Sequence, residues 1–181
     1  GSGTAKVQDL KAPGINPDAF AALLAGADTF GRSIDAIRTA AFAPPIVSNG
    51  TFEAPAADIA FTVAAGVLRA PPVTFTTDKV AVSSDLKIDF SSGIINAVGA
   101  ATYAAGDEAL VGSEPSVGFS VEGPLGALSG KYETETLAQF LTQRALEREQ
   151  ARVEALQASL IEKQRLRREV RYYASLQFER D

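Results

Sequence analysis

Histidine, cysteine, methionine and tryptophan are all missing from these 181 residues. Without cysteine there are no disulfides, no thiolate nucleophile and no cysteine-based zinc site, and the redox compartment is left undetermined. Without histidine the chain lacks the usual general base and the commonest metal ligand. Acid–base work would fall to carboxylates, lysine or tyrosine, and a serine nucleophile could be activated only by lysine, for which no local pattern exists. The expectation is a protein that is not an enzyme and holds neither cofactor nor metal. Long apolar runs are missing too: none approaches the roughly 18 residues of a membrane span, and no signal peptide is visible. A start at Gly1-Ser2-Gly3 with no methionine anywhere reads as a fragment of a longer protein with a tag scar at Gly1-Ser2, so the missing span does not exclude an anchor upstream.

What is present supports one sizeable core, or one β-rich module with an appendage, since 46% of the residues are hydrophobic. The net charge of −5 hides an asymmetry. Residues 1–143 hold 8 basic and 15 acidic side chains, whereas residues 144–181 hold 9 basic and 7 acidic. An acidic body with a locally basic tail does not fit a nucleic-acid binder.

The chain changes character near Lys131. Before it, short alternating runs are interrupted by Gly, Pro, Ser and Asn, as strands and turns are. From residue 134 to about 173 there is no Pro or Gly, and Ala, Leu, Glu, Gln and Arg dominate. A helix of about 40 residues is about 60 Å long, whereas a compact body of about 130 residues has a radius of gyration near 14 Å. Such a helix must project, bend back or lie along something else. Leu137, Phe140, Leu141 and Ala145 form one stripe, expected to dock on the sheet. Leu146, Val153, Leu156 and Leu160 form another, rotated by roughly 100° or more. A regular coiled-coil heptad fails, because Glu149 and Lys163 occupy the d positions set by Leu156 and Val170. Lys163, Arg165, Arg167, Arg168 and Arg171 form a basic cluster opposed locally only by Glu169, a candidate contact for an anionic surface or a partner, or equally a solvated helical face. Tyr172 and Tyr173 follow it.

Along the body, residues 4–10 read as a strand and Pro13-Gly14 as a turn. Asn16-Pro17 predicts an N-cap and first-turn proline for a helix at about 17–25. A second helix is predicted at about 33–41, stopped by Pro44-Pro45. Residues 59–67 predict a strand with Ile59, Phe61, Val63 and Val67 on one face, broken by Pro71-Pro72 before Val73 and Phe75. From 79 to 90 the alternation is nearly complete, with Val80, Val82, Leu86, Ile88 and Phe90 on one face and Lys79, Ser83, Asp85, Lys87 and Asp89 on the other. Residues 94–103 and 117–121 supply further strands around a polar loop at 106–115. One-sided strands of this kind belong to antiparallel sheets with one face apolar and one wet. Asp85 and Asp89 would stand roughly 13 Å apart along their strand, beyond the roughly 5–9.5 Å of glycosidase carboxylate pairs, so a solvated face is expected. The loop around Asp107 and Glu108 has too few regularly spaced oxygens for a calcium site and leaves room for no more than a weak cation site.

Four stretches carry a resemblance to the C-terminal region of AsmA-family proteins, the alphaproteobacterial branch in particular. They are GSGTAKVQDLKAPGINPDAF, FTVAAGVLRAPPVTF, VSSDLKIDF, and the run from VEGPLGALSGKYETETLAQFLTQRALEREQ to RREVRYY. In that order they are similar to the family's Gly-rich strand with G-x-N-P and helix, its strand–Gly–strand element, its recurrent D-L strand, and its terminal strand leading into an Arg/Glu/Gln-rich helix. The resemblance implies a Gram-negative envelope protein, with an inner-membrane anchor outside this fragment and a periplasmic body. It also implies likeness to bridge-like lipid transport proteins, in which a curved sheet forms a groove that shelters acyl chains. The family supplies no catalytic motif to carry over.

These readings converge on one α+β module. Residues 1–133 would form a curved, largely antiparallel, groove-like sheet with two short N-terminal helices, and residues 134–181 a long charged helix. The candidate groove lining is Phe61, Val63, Phe75, Val80, Val82, Leu86, Ile88, Phe90, Val98, Phe119 and Val121. The partner would be phospholipid, with an envelope protein or a second copy on the helix, and no nucleic acid. The same alternation is equally what a filled core beneath two helices produces. That makes an interaction scaffold, assembled through the long helix, the alternative.

Overall fold

The longest run of alternating residues becomes a central strand, and the body is arranged around it. A computed structural model describes residues 1–178 and shows an α+β fold. In chain order the elements are β1 (Ser2–Val7), β2 (Lys11–Pro13), α1 (Ala19–Asp28), α2 (Ala36–Ser48), β3 (Thr51–Glu53) and β4 (Ala57–Ala64). Then come β5 (Val67–Thr76), β6 (Val80–Asp89), β7 (Ile94–Tyr103), β8 (Ser116–Pro124), β9 (Ser129–Glu133) and α3 (Glu135–Phe178). Seven strands form one antiparallel sheet in the order β1-β4-β5-β6-β7-β8-β9, while β2 and β3 pair separately.

Directly paired residues of an antiparallel sheet share a face, so the register sorts the side chains. Phe61, Val63, Leu68, Phe75, Val80, Val82, Leu86, Ile88, Ala97, Ala101, Tyr103, Val117, Phe119, Val121 and Tyr132 fall on one face. Thr62, Arg69, Lys87, Asn96, Thr102, Ser116, Ser120, Glu122 and Lys131 fall on the other. The sheet is apolar on one side and wet on the other, as its alternation predicts.

Four local expectations are corrected. The strand expected over 59–67 is a hairpin: Ala65 (φ 49°) and Gly66 (φ 77°) make a two-residue turn with both φ values positive. Alanine rarely adopts that conformation, so the turn is poorly advertised. Pro71 and Pro72 do not break β5 but sit in a bulge, where pairing passes from Ala70–Leu86 to Val73–Ser84. There the missing N–H groups cost no ladder bonds. Asn16 does not cap α1 directly: its Oδ1 accepts from the Asp18 N–H at 3.0 Å, and the helix starts at Ala19.

The fourth correction is larger. Helix α2 starts at Ala36 and runs through Pro44 and Pro45 to Ser48, although a proline inside a helix removes a hydrogen bond and crowds the preceding turn. Burial wins here. Thr39, Ala43 and Val47, four residues apart on one stripe, are all 1% exposed or less, so the buried face continues across both prolines. Its last carbonyls are also taken up, since Asn16 donates from Nδ2 to the Ile46 carbonyl and from its backbone N–H to that of Val47.

The molecule divides into two compact units, residues 1–144 and the chain from Ala145 onward. The first ten residues of α3 belong to the body: Leu137, Ala138, Phe140 and Leu141 are buried, with Leu23 of α1 and Val47 of α2 and the sheet residues Val80, Ala101, Tyr103 and Val117. Phe20 stacks on Tyr103 at 6.2 Å and lies against Phe140 at 6.1 Å. Arg144 closes the set. Its side chain is 6% exposed and reaches Asp28 and Glu108, each at 2.6 Å. The second unit is helical through residue 178, and its described side chains are largely exposed. Among the described residues no helix is long and apolar enough to cross a membrane.

Candidate functional site

Part of the sheet's apolar face is covered by something other than helix. The short β2–β3 ladder and the chain beside it stand over β5 to β9, and between the two lies a cavity of about 580 Å³. Its sheet wall includes Phe75, Val82, Phe119 and Val121, and its opposite wall includes Leu10 and Phe52. That volume lies within the range of ligand pockets, about 300 to 1,000 Å³. Of the described residues that line it, Lys131 is the one with a charged side chain, and its register partner Ser120 lies on the sheet's polar face.

Two tyrosines and two glycines hold this shape. The Tyr132 hydroxyl donates to the Gly14 carbonyl at 2.7 Å, and the Tyr103 hydroxyl to the Asn16 carbonyl at 3.1 Å. Together they tie the turn after β2 down onto the sheet. Gly14 has φ +88°, and a Cβ there would meet the Tyr132 hydroxyl at 2.9 Å, so both conformation and space call for glycine. A Cβ at Gly99 would lie 2.5 Å from the Phe119 ring and 2.2 Å from the Ser83 carbonyl. Its absence lets Phe119 lie across β7. Burial pushes the Tyr132 phenol up, and burial followed by the neighbouring Tyr132 pushes Tyr103 up to about 12. Both act as neutral hydrogen-bond donors.

Of the eleven proposed lining residues, Phe75, Val82, Phe119 and Val121 meet at the cavity. Val80 shares their face but is 1% exposed beneath the helices, as part of the closed core. Leu86, Ile88, Phe61 and Val63 share the face but not the cavity, and are half-buried. The Phe61 ring lies over Gly3 of the neighbouring edge strand. Phe90 falls just past the end of β6 and is exposed. Val98 is a correction: it pairs with Ser120, on the polar face, and is 51% exposed. Strand β7 has apolar residues at both parities, so its pattern did not reveal which set faces inward. The residues that sequence reasoning missed, Leu10, Ala12, Ile15, Phe52, Ala54, Ile95, Leu128 and Tyr132, belong mostly to the β2–β3 side. Those two strands are three residues each and lie forty positions apart. Only the alternation of Phe52 and Ala54 hinted at them.

The carboxylates are structural. Asp85 accepts the Val98 backbone N–H at 3.0 Å. Asp89 accepts from Ser91 and Ser92 in the β6–β7 turn, and these hydrogen bonds hold its carboxyl below the usual range. Glu108 is engaged by Arg144. In the basic cluster Arg165 pairs with Glu162 and Glu169, while Lys163, Arg167, Arg168 and Arg171 make no ion pair among the described residues.

No protein-family model, curated protein or solved structure matches the chain.

Proposed function

We propose that this module shelters the acyl chain of a lipid, without catalysis, in the cavity between the β2–β3 ladder and the sheet. The observation that carries this is a space of about 580 Å³ walled by apolar side chains, beside a core in which Val80, Ala101, Tyr103 and Val117 are buried. Each methylene moved from water into it contributes about 0.8 kcal/mol, so a chain of about ten contributes about 8 kcal/mol before the cost of association. Among the described residues the ionisable side chains of the lining are Lys131 and Tyr132, and the Tyr132 hydroxyl is already bound to the Gly14 carbonyl. The resemblance to the AsmA family supports a phospholipid as the occupant and the periplasm of a Gram-negative envelope as the setting. The module would there belong to an inner-membrane-anchored parent serving outer-membrane biogenesis and maintenance.

The test is purification without detergent, followed by native and lipid mass spectrometry. Stoichiometric lipid is expected, retained in Ile88→Asp, which lies off the cavity, and lost in Phe119→Asp if that variant keeps its circular dichroism. A lipid-free protein that also takes up no lipid from vesicles overturns the reading and leaves the scaffold alternative.

A further inference from the structure

The second unit presents side chains that a solvated helix does not need. Leu146, Val153, Leu156, Leu160 and Val170 are 62%, 39%, 51%, 58% and 68% exposed. Continued at heptad spacing they define one seam: Leu146, Glu149, Val153, Leu156, Leu160, Lys163, Arg167, Val170. At about 100° per residue all eight lie within an arc of about 120°. In a parallel pair each residue meets its own copy. Glu149 would face Glu149, Lys163 would face Lys163 and Arg167 would face Arg167, giving three like-charge layers.

Reversing one helix about residue 158 removes every conflict. Leu146 then stands opposite Val170, Glu149 opposite Arg167, Val153 opposite Lys163, and Leu156 opposite Leu160. Two layers are apolar and one is an ion pair. In the fourth, the aliphatic stem of lysine covers valine while its ammonium reaches water. Each layer recurs by symmetry, so the seam has eight layers over about 36 Å. The flanks bring no like charges together: Gln150 nears Gln164, Arg152 nears Leu166, and Gln157 and Ser159 near their own copies. Glu149 already holds Arg152 within its own helix, at 2.8 and 3.0 Å, and the Arg167 of the second copy would join the groups around its carboxylate. Arg167 has no ion pair among the described residues, so its charge is available to a partner.

We propose that residues 146–170 pair antiparallel with the same segment of a second copy of this chain, in a two-fold arrangement that uses one surface patch on both molecules. The polar residues that spoil the heptad then specify its direction. This inference does not rest on the lipid reading.

Analytical ultracentrifugation of the whole chain tests it. A species of twice 18.9 kDa is expected to form with rising concentration. Glu149→Arg and Arg167→Glu should each weaken it at least tenfold, because each sets like charges opposite one another in two layers. Mixed in equal amounts, the two variants should associate again, since every layer that is repulsive in one is complementary in the mixture. Circular dichroism checks that both remain helical. A wild type that stays monomeric, a dimer that ignores either substitution, or a mixture that fails to recover would overturn the proposal. A monomer that instead sediments with anionic phospholipid vesicles would overturn it in favour of a lipid surface as the partner of the basic cluster.

Discussion

Ala97 and Ala101 lie on the same strand, on the same face of the same sheet, four residues apart. Ala101 is 1% exposed, in the core that also buries Val80, Val117, Leu137 and Phe140. Ala97 faces the cavity with Phe75, Phe119 and Val121. The strand chemistry does not differ between the two places. What differs is the cover: helices fill the space over one and a two-stranded ladder spans it over the other. An apolar alternation therefore identifies a face to be hidden, and leaves open whether it is hidden by packed side chains or bounds an empty space.

The comparison can be broken most forcefully on the packed side. Phe140→Ala removes a fully buried ring that touches Phe20 and should cost about 3–5 kcal/mol in urea unfolding. If it costs less than about 1 kcal/mol, the helix-covered half is not the close-packed core described. Next comes Ala101→Leu, which forces extra methylenes into filled space and should cost about 1–3 kcal/mol.

Tyr103→Phe probes the border between the two regions, because the hydroxyl ties the Asn16 carbonyl to the sheet. Loss of that bond should cost about 1 kcal/mol near neutral pH. Burial raises the Tyr103 phenol from near 10 to about 12, so the folded state favours the neutral form. Its stabilising effect is complete below pH 10 and is lost as the pH rises through 10 to about 12. The phenylalanine variant should lose less stability than the parent over that interval. Equal slopes would show that the phenol titrates as it does unfolded.

The smallest expected change is the sharpest contrast. Ala97→Leu adds the same atoms as Ala101→Leu but points them into the cavity, so its stability should lie within about 0.5 kcal/mol of the parent, while lipid retention falls. If the two alanine substitutions cost the same, the cavity is not a usable space.

Much of this architecture was legible. The alternation over 79–90 fixed a central strand and its apolar side, and nine of the eleven proposed lining residues do share one face of the sheet. The absence of Pro and Gly after residue 133 marked the long helix, and its first stripe is buried at Leu137, Phe140 and Leu141 and half-buried at Ala145. The misses have local physical causes. Ala65 takes a backbone conformation that alanine seldom adopts. Pro44 and Pro45 sit in a helix that burial carries past them. The β2–β3 ladder joins two fragments too short to register as strands, and β7 is apolar at both parities.

By itself the amino-acid order determined which side of the regularly alternating strands, β6 above all, is apolar, where the helix-forming run begins, and which chemistries are excluded for want of histidine and cysteine. These depend on side-chain identity and on the two- and 3.6-residue periods of the backbone, which act over a few neighbouring residues. Tertiary structure alone decided what stands over the apolar face. Val80 became core and Phe119 the wall of a cavity because chain segments separated by tens of residues were brought over them. That choice depends on how distant surfaces fill shared volume, which no local period encodes.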